Sequence, residues 1–243
     1  MILFYVRHGD PIYDPDSLTP LGKRQAEALA KRIAAFGVNK IFASTSQRAI
    51  DTAQPTCELT KKQPVLLDFA NEKYASEYMG YPDERKGEGR THWVWQHGWI
   101  GGELLVKKEV RELGDKWYEH PYFKDYPFKK GLDRAAEQID EWFASLGFVH
   151  DRENGRYNIT TDNPNERIAL FAHEGFGKMF LSHVLDIPLP YIVPNIELQH
   201  SGMTVIEFRD LGGYAIPHIL TLSNDSHLYR DGLPLKYNNE VSF

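Results

Sequence analysis

Ile2-Leu3-Phe4-Tyr5-Val6-Arg7-His8-Gly9 opens the chain with five hydrophobic side chains, followed at once by a cation, an imidazole and a glycine. An unbroken apolar run this short reads as a strand buried on both faces, the kind found in parallel sheets. Open α/β sheets bind ligands at the carboxyl ends of their strands, so His8 is placed to face such a crevice. Arg7 is permanently charged and carries a fork of donors, which points to an anionic ligand, phosphate or carboxylate. Gly9 lets the backbone turn sharply or approach that ligand closely.

Outward from this strand, the pattern alternates. Thr19 and Pro20 read as N-cap and first helical residue, Gly22, Ala26, Leu29, Ala30 and Ile33 as a helical stripe, and Gly37 as its stop. Lys40–Ala43 reads as a second strand, Ser46–Gln54 as a helix and Val65–Asp68 as a third strand. Leu132, Ala136, Ile139, Phe143 and Leu146 form another stripe. Arg167–Ala172 is a strand and Gly175–Leu185 a helix stopped near Pro188. Met203–Phe208 and Tyr214–Leu222 read as a hairpin around Gly212-Gly213. The expected fold is α/β, a three-layer sandwich with a mostly parallel central sheet and an antiparallel edge hairpin.

At 243 residues with 42% hydrophobic and 26% charged side chains, residues 1–243 fit one folded domain and not a disordered chain. The net charge of −6 gives no basic field to recruit nucleic acid or anionic lipid, so an anionic substrate must be captured by local arginines. A single cysteine, Cys57, excludes an internal disulfide framework. Arg7 interrupts the first apolar run too early for a signal peptide or membrane span, so cytoplasmic is the default location.

Four segments occur in a fixed order: Arg7-His8-Gly9; Leu18-Thr19-Pro20-Leu21-Gly22; Ser44-Thr45-Ser46-Gln47-Arg48-Ala49-Ile50-Asp51-Thr52-Ala53; and His173-Glu174-Gly175. Together they resemble the histidine phosphatase superfamily, also called the phosphoglycerate mutase-like family. The resemblance implies a helical and loop insertion over the active site, at about residues 72–130. That stretch is dense in Tyr, Trp and His, including His92, Trp93, Trp95, His97, Trp99 and Trp117. Most of these aromatics are expected to pack together and a few to touch substrate; the segment suits a pocket wall or a homodimer interface equally.

The chemistry implied is metal-independent and needs no cofactor. His8 attacks phosphorus and forms a phosphohistidine that water then cleaves. Arg7, Arg48 and His173 neutralise the phosphoryl oxygens, with Ser44 or Ser46 adding contacts. Thr19 and Thr52 read as cap and helix-packing residues, and Arg48 has Asp51 as a competing surface partner. The leaving oxygen needs a proton; Glu72 fits best as donor, with Glu77 as substitute. Asp14 stands where family mutases carry asparagine, and a carboxylate there repels phosphate unless it points away. His173-Glu174 is not the start of a zinc H-E-x-x-H motif, since position 177 is glycine. His183 is expected to pack or to face solvent. Hydrolysis of a small phosphomonoester is the first reading. A cofactor-dependent phosphoglycerate mutase and a catalytically silent phospholigand-binding protein are the alternatives.

Overall fold

The structure, a computed structural model, describes residues 1–235. Its centre is a six-stranded sheet, numbered here β1 (Ile2–Arg7), β2 (Lys40–Ser44), β3 (Pro64–Leu67), β4 (Arg167–Ala172), β5 (Met203–Phe208) and β6 (Pro217–Asn224), in spatial order β6-β5-β1-β4-β2-β3. β1, β4, β2 and β3 run parallel, while β5 is antiparallel to β1 and β6 to β5. Four long helices flank the sheet: α1 (Pro20–Phe36), α2 (Gln47–Thr60), α3 (Phe128–Ser145) and α4 (Glu174–Val184).

Strand alternation explains why β1 and β4 are apolar throughout. Phe4 and Val6 of β1, with Ala169 and Phe171 of β4, pack against Leu29 and Ile33 of α1 and Ala53 and Cys57 of α2. Leu3, Tyr5, Ile168, Leu170 and Ala172 enter the other core with Ile139, Trp142 and Phe143 of α3 and Phe180 of α4. Three layers result, as expected. Thr19 caps α1, its Oγ1 accepting the Gly22 N–H at 3.0 Å, and Gly37 ends it.

Two local readings need correction, and one element went unread. α2 does not stop at Gln54 but continues through Pro55 to Thr60, because Ala53, Thr56 and Cys57 keep burying its face. The expected Tyr214–Leu222 strand is broken: Tyr214–Ala215 pairs with Arg156–Ile159, and the strand of the central sheet starts at Pro217. Proline is tolerated at a strand's first residue but donates no ladder bond, which is where the chain changes sheet. The hairpin Phe148–Asp151/Arg156–Ile159 is a feature that the apolar pattern did not disclose.

Residues between the root helix Lys73–Tyr78 and α3 form short helices, turns and a small hairpin (Gly80–Pro82 with Thr91–Trp93). Trp95, Trp117, Phe123 and Phe128 are fully buried there. Most of the aromatics are thus a packed core of this segment, as read from the sequence. No helix among the described residues is long and apolar enough to cross a membrane.

Candidate active site

The parallel register of β1 and β4 sets Arg7 opposite Ala172, so the residues that follow, His8 and His173, emerge side by side at the carboxyl ends of adjacent strands. Their ring centroids are 5.2 Å apart. The His8 N–H donates to Ala172 O at 3.0 Å, extending the ladder one residue past β1. Both histidines are buried.

His8 Nδ1–H donates to Gly9 O at 2.7 Å, leaving Nε2 as the nitrogen with a lone pair. Burial, reinforced by His173 and Arg7, holds its pKa well below the usual histidine value, so the ring stays neutral. The backbone carrying it is fixed from α1 and α2. The Gly9 N–H donates to Thr52 Oγ1 at 3.0 Å, and Thr52 donates in turn to Arg48 O at 2.7 Å. Gly9 and Gly22 meet backbone to backbone: a Cβ on Gly9 would lie 2.7 Å from Gly22 O, and one on Gly22 2.2 Å from Asp10 O. Glycine is required at both positions by this approach.

His173 Nε2 lies 2.8 Å from Ser44 Oγ and 3.2 Å from Ser46 Oγ. Arg48 donates from its second terminal nitrogen to Nδ1 at 3.1 Å. Burial first, then Arg48 and Arg7, keeps His173 well below its ordinary pKa. Arg48 is held from the other side by Asp16 (2.8 Å) and lies over the Tyr13 ring. Its partner is therefore Asp16, not Asp51, which instead accepts from Gln47. Arg7 donates to Leu198 O (2.5 Å) and to His200 Nε2 (2.8 Å), and pairs with Glu174 (2.8 Å).

Glu72, at the root of the aromatic segment, comes within 3.4 Å of His173 Nδ1. Its Oε1 accepts the Phe176 N–H in the first turn of α4 at 3.2 Å. Gly175 makes that approach feasible, since a Cβ there would fall 2.6 Å from the same oxygen. Burial pushes the Glu72 carboxyl up to about 7, against the pull of Arg7 and the Phe176 N–H. Glu77, by contrast, is exposed, and so is Asp14 in its turn.

Arg7, His8, Arg48 and Glu72 line one cleft of about 1120 Å³, together with Tyr13, Trp93, Lys178 and Glu197. Glu174, Lys178, His200 and Asp16 are site residues that sequence reasoning passed over. Only Glu174 and Lys178 left a trace, their i,i+4 spacing on one helix.

Among the described residues, two groups of side chains have the spacing to hold a metal ion, with donor atoms within 4.8 Å: His8, Glu72 and His173, and elsewhere Asp140, His150 and His183. In the second group, Arg152 packs its guanidinium against His183 Nδ1, which must accept there. His183 Nε2 lies 2.6 Å from Asp140, and His150 has Asp140 and Asp186 carboxylates at 3.0 and 3.1 Å from its two ring nitrogens. Protons alone satisfy this network. His183 is thus a bonded member of it, beyond the packing or exposed role expected.

A family model for the histidine phosphatase superfamily (branch 1) matches residues 3–119. Among solved structures, the chain is similar to a mutant phosphoserine phosphatase from Entamoeba histolytica in complex with phosphoserine: 20% identity, TM-score 0.58, covering 93% of this chain and 98% of that one. It is also similar to a mycobacterial glucosyl-3-phosphoglycerate phosphatase in complex with inorganic phosphate: 18% identity, TM-score 0.58, with the same coverage of 93% and 98%. At such identities the likeness speaks for the fold. No curated protein matches by sequence.

Proposed function

Because the chain belongs to the histidine phosphatase superfamily, we propose that it hydrolyses a small phosphomonoester through a phosphohistidine on His8, without a metal. The observation that carries this reading is the pairing of opposite proton states in one cleft. His8 is buried neutral with Nδ1 committed to Gly9 O, while Glu72 has a carboxyl raised to about 7. Groups whose environments set them up as base and acid mark an acid–base assignment. The similar phosphoserine and glucosyl-3-phosphoglycerate phosphatases support the same class.

In the first step His8 Nε2 attacks phosphorus, the P–N bond forms, the P–O bond to the leaving group breaks, and the Glu72 proton goes to the departing oxygen. Arg7 and Arg48 offset the charge on the equatorial oxygens, with His173 beside them. In the second step the Glu72 carboxylate takes a proton from water, whose oxygen attacks phosphorus. The P–N bond breaks, inorganic phosphate leaves, and His8 and Glu72 return to their starting states.

The test is phosphate release from a panel of phosphomonoesters, with chelator present, by the native chain and by His8→Ala. Chelator-resistant release that the substitution abolishes is expected. Release that survives His8→Ala overturns the assignment. Absence of release from every compound overturns hydrolysis, and phosphoglycerates with a bisphosphorylated primer then separate a mutase from a binding protein.

A further inference from the structure

We infer that Trp93, on the aromatic segment, is the positioning residue of Glu72: its indole keeps water off that carboxyl, so that the proton stays in place for the departing oxygen; this rests on the phosphatase reading above. Glu72 lines a cleft of about 1120 Å³, yet its side chain is only 12% exposed. On α4, the Phe176 N–H anchors the carboxyl and Gly175 leaves it room. The same room holds the indole. A Cβ on Gly175 would lie 2.6 Å from Glu72 Oε1 and 3.1 Å from both Cζ2 and Cη2 of Trp93. The carboxyl and the edge of the ring therefore converge on one point in the first turn of α4. Ring carbons give an ionised carboxyl no hydrogen bond in exchange for the water they displace, so they favour its neutral form.

The indole is itself held in place. The strand Thr91–Trp93 pairs with Gly80–Pro82, setting Trp93 opposite Gly80, and the Val94 N–H donates to Met79 O at 2.8 Å. Trp95, fully buried, backs the indole with 5.8 Å between ring centroids. The helix Lys73–Tyr78 that leads into this hairpin starts at the residue after Glu72, so acid and cover ride on one short piece of chain. The polar groups facing the carboxyl pull in both directions. Arg7, Arg48 and the Phe176 N–H favour its ionisation, Glu174 and the buried Tyr5 hydroxyl do not, and His173, 3.4 Å away, is held neutral. Lys73 turns to Asp68, and Lys178 pairs with Glu174. Burial outweighs the pull of Arg7, and Trp93 is the large apolar side chain that meets the carboxyl at Gly175.

The test is a pH titration of the Glu72 carboxyl carbon by NMR, in protein carrying isotope-labelled glutamate and with the signal assigned through Glu72→Gln. The native chain is compared with Trp93→Ala, Trp93→Gln and Trp93→Phe. The native midpoint is expected at about 7. It falls by about one pH unit or more in Trp93→Ala and Trp93→Gln, which admit water, and by less in Trp93→Phe, which keeps an apolar ring. Using both alanine and glutamine keeps the comparison standing if one of them fails to fold. In steady-state assays with glycerol 3-phosphate, the alkaline limb of kcat moves down with the midpoint, whereas a merely structural loss lowers kcat alike at every pH. A midpoint that does not move in the alanine and glutamine variants overturns the inference. So does a midpoint that moves while the alkaline limb stays. Absence of phosphate release by the native chain overturns the phosphatase reading instead, and the midpoints still decide whether Trp93 shields Glu72.

Discussion

Replacing Glu72 by glutamine tests acid catalysis and the energetics of its burial together. The carboxyl moves from 4.5 to about 7 on folding, mainly through desolvation. At about 1.4 kcal/mol per tenfold, that is a penalty of about 3 kcal/mol for holding the ionised form in the native state. The sign follows from proton counts. Below pH 4.5 both states are protonated. Between 4.5 and about 7 the unfolded chain has released its proton and the native chain has not, so stability falls as pH rises, and above 7 the full penalty is carried. Glutamine keeps an oxygen to accept the Phe176 N–H but never ionises. Urea unfolding at pH values from 4.5 to 8 should therefore show the native chain losing about 3 kcal/mol more than Glu72→Gln across that window. Activity reads the other role: on alkyl phosphates, kcat should fall by about 10²–10⁴, the usual worth of a general acid. On p-nitrophenyl phosphate, whose leaving group departs without a proton, the loss should be much smaller. Native activity on alkyl esters should decline as pH rises through about 7. Equal losses on both leaving groups, or parallel stability profiles, would refute the reasoning.

Gly22→Ala places a methyl 2.2 Å from Asp10 O, which should cost about 1–3 kcal/mol in thermal unfolding, as overpacking does. Asp16→Ala removes the carboxylate that holds Arg48; because Asp16 is partly exposed, the effect should be modest, a rise in KM of about fivefold in steady-state assays. For His150, burial alone would lower its pKa, but Asp140 and Asp186 together raise it above 6.5. The bridge therefore contributes fully below pH 6.5 and is lost as pH rises through the raised value. His150→Gln should flatten the denaturation midpoint across that alkaline limb.

β1 and β4 were readable because a strand buried on both faces must be apolar at every position, and their ends gave His8 and His173 directly. Arg48 was readable from its motif, and its tether was not: Asp16 lies 32 residues away, and no local period links the two. His200 reaches Arg7 across 193 residues and sits in no helical or strand pattern. The Phe148–Asp151/Arg156–Ile159 hairpin carries alternating polar side chains on short strands, so it resembled a loop. The break at Ile216 depends on which sheet each half joins, and pairing partners are not written locally. Glu72 was favoured over Glu77 only by its place after the third strand; burial under α4 is what separates them.

Glu72 is fastened to α4 at the root of the aromatic segment, and the two histidines stand at the ends of neighbouring strands of the sheet. Everything from about residue 80 to residue 127 hangs between fixed ends without contributing a reacting atom to the proposed steps. The chain is therefore built as a constant workbench with an exchangeable jaw. Loop lengths and side chains in the jaw can be rewritten to grip a different ligand, while the atoms proposed to make and break bonds to phosphorus keep their own supports. Lys178 and the Pro194–Glu197 wall line the cleft from the workbench side, so a ligand of another shape would require changes outside the jaw as well.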